Sequence, residues 1–212
     1  QPQPQDQQRR HWRNGRNHNQ QPTDRHISPD GKWKAFTKDY QLWLEDTASG
    51  EQIALTTDGT AQRQYSDDVY FSPDSLKLVC ITVKPVDERQ VHYIESSPAD
   101  QLQPKHFTIN YVKPGDEITT YYPTMFDLAS HSQLPVSTEL FANPYNIDDF
   151  HWLPDSSEFL FYFNQRGHQV NRVLAINSTD GTVRSVVEEK SDTFIVYSSK
   201  KHLQYLDDSS EL

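Results

Sequence analysis

Apolar residues in this chain come in short bursts at two-residue spacing, separated by turn-forming residues. Trp33, Ala35 and Thr37 fall on one face of a predicted strand. Leu42 with Leu44, then Ile53 with Leu55, follow in the same rhythm. Lys38-Asp39 and Asp46-Thr47-Ala48-Ser49-Gly50 link these bursts. Further along come Phe159-Leu160-Phe161-Tyr162-Phe163, then Val173-Leu174-Ala175-Ile176, then Val183 through Val187. The link Asn177-Ser178-Thr179-Asp180-Gly181 has the same Asp/Asn-to-Gly spacing as Asp46 to Gly50. Runs rich in Val, Ile, Phe, Tyr and Thr between turn residues read as strands. No stretch carries an apolar stripe of period 3.6, so the pattern predicts an all-β chain.

A short phrase recurs ahead of these strands: Ile27-Ser28-Pro29-Asp30-Gly31-Lys32, Phe71-Ser72-Pro73-Asp74-Ser75-Leu76 and Trp152-Leu153-Pro154-Asp155-Ser156-Ser157. Proline presets φ at the first corner of a tight turn, and Asp followed by Gly or Ser suits the rest. A hairpin repeated at long intervals, with about four strands per unit, predicts a partial β-propeller of about three four-stranded blades. From the turn Asp to the later loop Asp or Asn is 16 residues in the first unit (30 to 46) and 22 in the third (155 to 177). In the second it is 53 (74 to 127), with Phe126-Asp127-Leu128-Ala129 as the matching strand end. The excess, roughly thirty residues between 85 and 122, predicts a long hairpin or arm built around Phe107-Thr108-Ile109-Asn110-Tyr111-Val112. The expected units are 25–66, 67–147 with the arm at 85–122, 148–200, and the start of a further blade at 201–212. That last stretch, from Lys201-His202-Leu203-Gln204-Tyr205-Leu206 onward, closes no unit, so the chain reads as truncated.

Composition narrows the partners. The 212 residues are 34% hydrophobic, with ten Phe, eleven Tyr and four Trp supplying much of the core. A net charge of −10 argues against a general nucleic-acid binder, which needs a basic surface. No apolar run approaches a membrane span. Gln1 to Gln21 is dominated by Gln, Pro, Asn and Arg, so residues 1–24 are expected to form a polar, flexible leader. The single cysteine, Cys80, sits in the strand Leu78-Val79-Cys80-Ile81 and reads as a buried, inert thiol.

The chemistry is mostly negative. There is no Gly-x-Ser-x-Gly elbow, no His-Glu-x-x-His, no Cys-x-x-Cys and no glycine-rich phosphate loop. No catalytic residue, metal or cofactor is expected. Four acidic pairs occur: Asp67-Asp68, Asp148-Asp149, Glu188-Glu189 and Asp207-Asp208. Two carboxylates can anchor a cationic group such as an amine. Neighbours on a strand point to opposite faces, so such a pair converges only at a turn or bulge. Asn177-Ser178-Thr179 is a glycosylation sequon on a predicted turn.

Longer phrases carry a family resemblance. Ser28-Pro29-Asp30-Gly31-Lys32-Trp33-Lys34-Ala35-Phe36, Glu95-Ser96-Ser97-Pro98-Ala99-Asp100-Gln101-Leu102-Gln103-Pro104-Lys105, Tyr111-Val112-Lys113-Pro114-Gly115-Asp116 and Phe163-Asn164-Gln165-Arg166-Gly167-His168-Gln169-Val170 resemble the N-terminal region of dipeptidyl peptidase IV-like enzymes. These are serine exopeptidases of the prolyl oligopeptidase group, and the likeness to bacterial secreted or periplasmic members is strongest. It runs from about Pro29 to about Thr193.

The resemblance implies an eight-bladed propeller over a C-terminal α/β-hydrolase domain that holds a Ser-Asp-His triad. It implies a propeller that gates and orients peptide substrates, an arm that helps form a homodimer, and a secreted or periplasmic location. The hydrolase domain is not in this chain, which alone is expected to be inactive. The family's amine-binding glutamate pair should fall in Gly59-Thr60-Ala61-Gln62-Arg63-Gln64-Tyr65-Ser66-Asp67-Asp68, where no Glu-Glu occurs. Asp67 and Asp68 are the candidates to substitute for it, and Arg166 is a further candidate for substrate or inter-domain contact. The alternatives are a stand-alone propeller-like protein-binding module and a dimerisation segment.

Overall fold

The computed structural model describes residues 25–87 and 89–205. The expected leader at 1–24 and the acidic pair Asp207-Asp208 lie outside the described residues. Every regular element but one single 3-10 turn, Glu139–Phe141, is a β-strand. The first sheet is β1 (Trp33–Lys38), β2 (Gln41–Asp46) and β3 (Gln52–Ala54). In the second, β4 (Gln64–Phe71) and β5 (Lys77–Lys84) are followed by a separate hairpin, β6 (Gln90–Glu95) with β7 (Lys105–Asn110). The chain then returns through β8 (Thr120–Asp127) and β9 (Ser132–Gln133). The third sheet is β10 (Pro144–Trp152), β11 (Glu158–Gln165), β12 (Val170–Asn177) and β13 (Val183–Lys190). All pairings are antiparallel between neighbours in the order 1-2-3, 4-5-8-9 and 10-11-12-13. This is the partial propeller expected from the pattern, with the arm leaving at Lys84 and returning at Thr120.

In the first blade the described residues form three strands. In the fourth position Ile27 makes a single bridge to Lys34, and the Ala35 N–H donates to the His26 carbonyl at 2.7 Å. Beyond Ser28 the chain enters the turn at Pro29.

The sheets stack face to face, and the middle strands show why their sequences are almost continuously apolar. In β5, Leu78 and Cys80 join a cluster with Trp33, Leu42, Leu44, Tyr65 and Phe126. Val79 and Ile81, on the opposite face, join Trp152, Phe159, Phe161 and Phe163 of the third sheet. A strand covered on both sides has no polar face to present. Phe126, Phe159, Phe161 and Phe163 have no accessible surface, so truncating any of them to Ala should cost about 3–5 kcal/mol. Cys80 is equally buried, and burial pushes its thiol up to about 12, which leaves it inert as a nucleophile.

The recurring Pro-Asp phrase also stitches sheet to sheet. In the first copy the Ser28 hydroxyl donates to Asp30 (2.6 Å), while the Lys32 N–H donates to Asp30 and the Trp33 N–H to Ser28. Ser72 and Asp74 repeat the pattern with Leu76 and Lys77. In the third copy Leu153 replaces the serine, and Ser157 supplies both donors to Asp155. Between copies, the Asp30 N–H donates to Ser75 Oγ and the Asp74 N–H to Ser156 Oγ, each at 3.0 Å. Ser75 and Ser156 are buried in the left-handed region, both at φ 62°, where the first copy has Gly31 at 74°. A serine pays conformational strain there in exchange for an inter-sheet acceptor.

The strand-end loops repeat as closely. Asp46, Asp127 and Asn177 each accept the backbone N–H two or three residues on. Gly50 and Gly181 close two of these loops at φ 71° and 74°. In the second loop His131 takes the glycine's place at φ 52°, with its ring edge-on to Trp33 of the first sheet.

Ser156→Ala should lower the unfolding free energy by about 1 kcal/mol through the lost inter-sheet hydrogen bond. Ser156→Gly should lose less, because glycine adopts a positive φ without the steric cost that a Cβ carries there. Urea midpoints of the three proteins check this ordering. An alanine variant as stable as the parent would show that the latch contributes nothing.

Candidate functional site

The two acidic pairs on the first strands of their sheets occupy matching positions. Asp67 and Asp68 lie seven and six residues before the turn Asp74, and Asp148 and Asp149 stand at the same distances before Asp155. Both fall at register breaks, between Tyr65 and Val69 in β4 and between Asp148 and His151 in β10. A bulge is the feature that lets adjacent carboxylates escape strict alternation.

At the second of these bulges the two carboxylates converge. Asp149 adopts φ 52°, and Lys201 Nζ donates to Asp148 Oδ1 at 2.9 Å and to Asp149 Oδ2 at 2.6 Å. The same ammonium stands over the Tyr162 ring, 3.9 Å from its centroid. Tyr205 closes the group by donating to the Asp149 carbonyl at 3.0 Å and stacking on His151 at 4.2 Å. Burial pushes the Asp148 carboxyl above the usual carboxylate range against the pull of Lys201. Burial also works against the Lys201 charge, but its bonds to Asp149 and Asp148 prevail and hold it above the ordinary lysine value.

The other pair does not share a ligand. Asp67 accepts from the Thr37 hydroxyl, and Asp68 pairs with Arg25 at 2.9 Å, both partners belonging to the first unit. Arg166 stands on another sheet, at the β11–β12 hairpin tip. It donates to the Asp116 carbonyl at the root of the arm, beside the Arg89–Asp116 pair at 3.7 Å. Each expected site residue therefore has a partner within the chain, and Arg166 is not drawn into the same cluster as Asp67 and Asp68. Glu188 pairs with Arg172 and Lys190 on the outer strand.

Sequence reasoning missed the hairpin tip as an organising centre. His168, at φ 57°, stacks on Tyr197 at 4.2 Å and meets Tyr145 and Phe194 edge-on at 4.5 and 5.4 Å. Its Nδ1 lies 3.0 Å from Asn164 Oδ1, and burial depresses its pKa. The His168 carbonyl accepts the Ile195 N–H, clasping the segment that follows β13. No three acidic, histidine or cysteine side chains among the described residues are grouped to hold a metal ion, and none of the helices described is long and apolar enough to cross a membrane.

Residues 4–212 match the family described as the dipeptidyl peptidase IV (DPP IV) N-terminal region. The chain belongs to this family. Its fold is similar to the crystal structure of Porphyromonas gingivalis dipeptidyl peptidase 4, with a TM-score of 0.59 and 17% identity over 79% of this chain and 26% of that one. A crystal structure from Bacteroides ovatus, titled as a dipeptidyl aminopeptidase IV, gives a TM-score of 0.55 and 14% identity over 80% of this chain and 24% of that one. The chain thus spans about a quarter of the length of these solved structures. No curated protein matches it. Within this DPP IV N-terminal fold, the acidic pairs are part of the repeat itself. That position was legible in their equal distance from the turn Asp, a signal that comparison of the copies supplies.

Lys201→Met keeps the side-chain stem and removes the ammonium, leaving two half-buried carboxylates together. Asp148 already has a folded pKa above its unfolded one, so its ionisation opposes folding as pH rises through the carboxyl range. Without Lys201 that penalty grows, and the variant should lose about 1 kcal/mol at pH 7.5 and most of this difference should vanish near pH 4. Urea unfolding at both values tests the sign, and a loss independent of pH would count against the clamp.

Proposed function

We propose that this chain is the propeller portion of a dipeptidyl peptidase IV-like serine exopeptidase, gating and orienting peptides for a hydrolase domain outside this chain. The family match over residues 4–212 carries this reading, and the turn-stitched stack of sheets supports it. A secreted or periplasmic location fits this reading. Under this reading a substrate group that meets Asp67, Asp68 or Arg166 shares them with Thr37, Arg25 and the Asp116 carbonyl. Removal of one Xaa-Pro dipeptide requires a nucleophile and an oxyanion hole, and both belong to the hydrolase domain.

The 212-residue chain should therefore leave a Gly-Pro chromogenic substrate untouched, while a longer natural form with the hydrolase domain should cleave it. Turnover that follows the 212-residue protein through purification, or silence in a folded longer form, would reject the assignment.

The arm favours self-association as a second role. Its two strands put Val91, Tyr93, Phe107 and Ile109 on one face, where Tyr93 stacks on Phe107 at 5.0 Å. Tyr93, Phe107 and Ile109 are all exposed, a continuous apolar strip of the kind that marks protein contacts. Light scattering should give a dimer mass for the parent chain and a monomer mass for Tyr93→Glu. A parent that runs as a monomer at high concentration removes the arm from this role.

A further inference from the structure

The arm has a second face, turned away from its exposed apolar strip. Residues paired across an antiparallel ladder share a face, so His92 with Thr108 and Ile94 with His106 lie on the side opposite Tyr93 and Phe107. The two histidines are 14 residues apart in the chain and become diagonal neighbours only through this register. Their ring centroids are 5.2 Å apart and the ring planes are inclined by 10°. Both residues are exposed, so an ion reaches them from solvent without any rearrangement of the fold.

Each ring has a nitrogen to offer. His92 Nδ1 lies 3.1 Å from Thr108 Oγ1. With the proton on Nδ1 the ring donates to that hydroxyl and leaves the Nε2 lone pair free. A hydrogen bond at one ring nitrogen is what orients a histidine to ligate a metal through the other. His106 contacts the His92 ring and makes no hydrogen bond or ion pair among the described residues, so its nitrogens are available.

The spacing selects the ion. Through Zn–N bonds of about 2.0–2.1 Å an ion sits about 3.2 Å from each ring centre, and at the tetrahedral angle the two centres are about 5 Å apart. At the right angle of a square-planar ion they are about 4.5 Å apart. The pair already stands at the tetrahedral separation. Because the rings are nearly parallel, binding turns each of them about χ1 and χ2 until its nitrogen faces the ion, and χ2 of a histidine is a broad, soft torsion.

We propose that His92 and His106 bind a Zn²⁺ ion on this face of the arm, through Nε2 of His92 and a ring nitrogen of His106, with water in the two remaining tetrahedral positions. Mg²⁺ takes oxygen ligands and gains nothing from imidazole. The site rests on the hairpin register alone. It is independent of the peptidase reading, which the chromogenic assay tests, and of self-association through the opposite face, which light scattering tests.

The test is a titration of the 15N-labelled 212-residue chain with zinc chloride at pH 7.5, read at the imidazole nitrogens of each histidine. Saturable shifts of both the His92 and His106 rings, complete at one Zn²⁺ per chain, are expected. His92 should then show a protonated Nδ1 and a metal-bound Nε2. Magnesium chloride should leave both rings unchanged. His106→Gln removes one ligand and should weaken binding at His92 at least about tenfold, because the second ligand is tethered at high effective concentration. His92→Gln should weaken binding at His106 to the same degree, and both substitutions fall on exposed positions. Zn²⁺ that shifts only His11 and His18, or only one ring of the pair, would overturn the proposal. So would equal shifts with Mg²⁺, or unchanged affinity in either glutamine variant.

Discussion

The middle strands β5 and β11 bury both of their faces, and the remaining architecture follows from covering them. Leu78 and Cys80 need the first sheet, while Val79 and Ile81 need the third. β11 sets the same demand one step along, with Phe159, Phe161 and Phe163 facing the second sheet and Leu160 and Tyr162 facing outward. A sheet with two apolar faces cannot stand alone in water, so blades of this kind are stable only in series. The outward face of the third sheet is met by Leu203 and Tyr205 from the segment beyond β13. Polar stitches add direction to this stacking. Apolar faces alone would tolerate sliding, whereas a turn N–H on a serine hydroxyl, or Trp152 Nε1 on the Tyr70 carbonyl at 3.0 Å, fixes one sheet against the next.

Much of this was legible in the sequence because the repeat states the same physics three times. The Pro-Asp phrase gave each hairpin, and the Asp/Asn loops gave each strand end, including Asp127 after a long insertion. Less legible was the choice of serine at the left-handed position of the turn. Ser75 and Ser156 look like poorer versions of Gly31 until the neighbouring sheet brings an Asp N–H to their hydroxyls. Tyr205-Leu206-Asp207-Asp208-Ser209-Ser210-Glu211-Leu212 repeats the order of Trp152-Leu153-Pro154-Asp155-Ser156-Ser157-Glu158-Phe159, with Leu, Asp, Ser, Ser and Glu shared. Its proline is replaced, which is why a search for Pro-Asp passes over it.

The acidic pairs show how a local rule and a repeat can be read together. Alternation along a strand argues that Asp148 and Asp149 diverge, and a bulge with Asp149 at φ 52° overrides it. The lysine that joins them is 52 residues from Asp149, too far for any local pattern to nominate it. Asp67 and Asp68 occupy the equivalent bulge yet serve Thr37 and Arg25 separately. In both units the position places negative charge at a seam with a neighbouring unit, and the group the neighbour offers, a lysine in one case and a threonine hydroxyl and an arginine in the other, determines the pairing. An amine from outside the chain would have to compete with those cations, at a seam that salt screens only in part.

Arg166 ties this stack to the arm in a way neither part would show alone. The arm leaves the second sheet, but its root is held at the Asp116 carbonyl by a guanidinium from the third. Two residues beyond Arg166, His168 gathers Tyr145, Phe194 and Tyr197 and holds the chain after β13. Its Nδ1 also lies 3.0 Å from Asn164 Oδ1, in the last residues of β11 before the tip. The four-residue tip, Arg166 to Gln169, thus touches the arm root and the outgoing chain. The low pKa of His168 fits this placement, since a charged ring would have to be hydrated where three aromatic rings now surround it. Protonation at low pH would therefore oppose the contacts around this tip before it disturbed the buried clusters, where burial holds the Cys80 thiol and the Tyr65, Tyr70 and Tyr162 hydroxyls neutral.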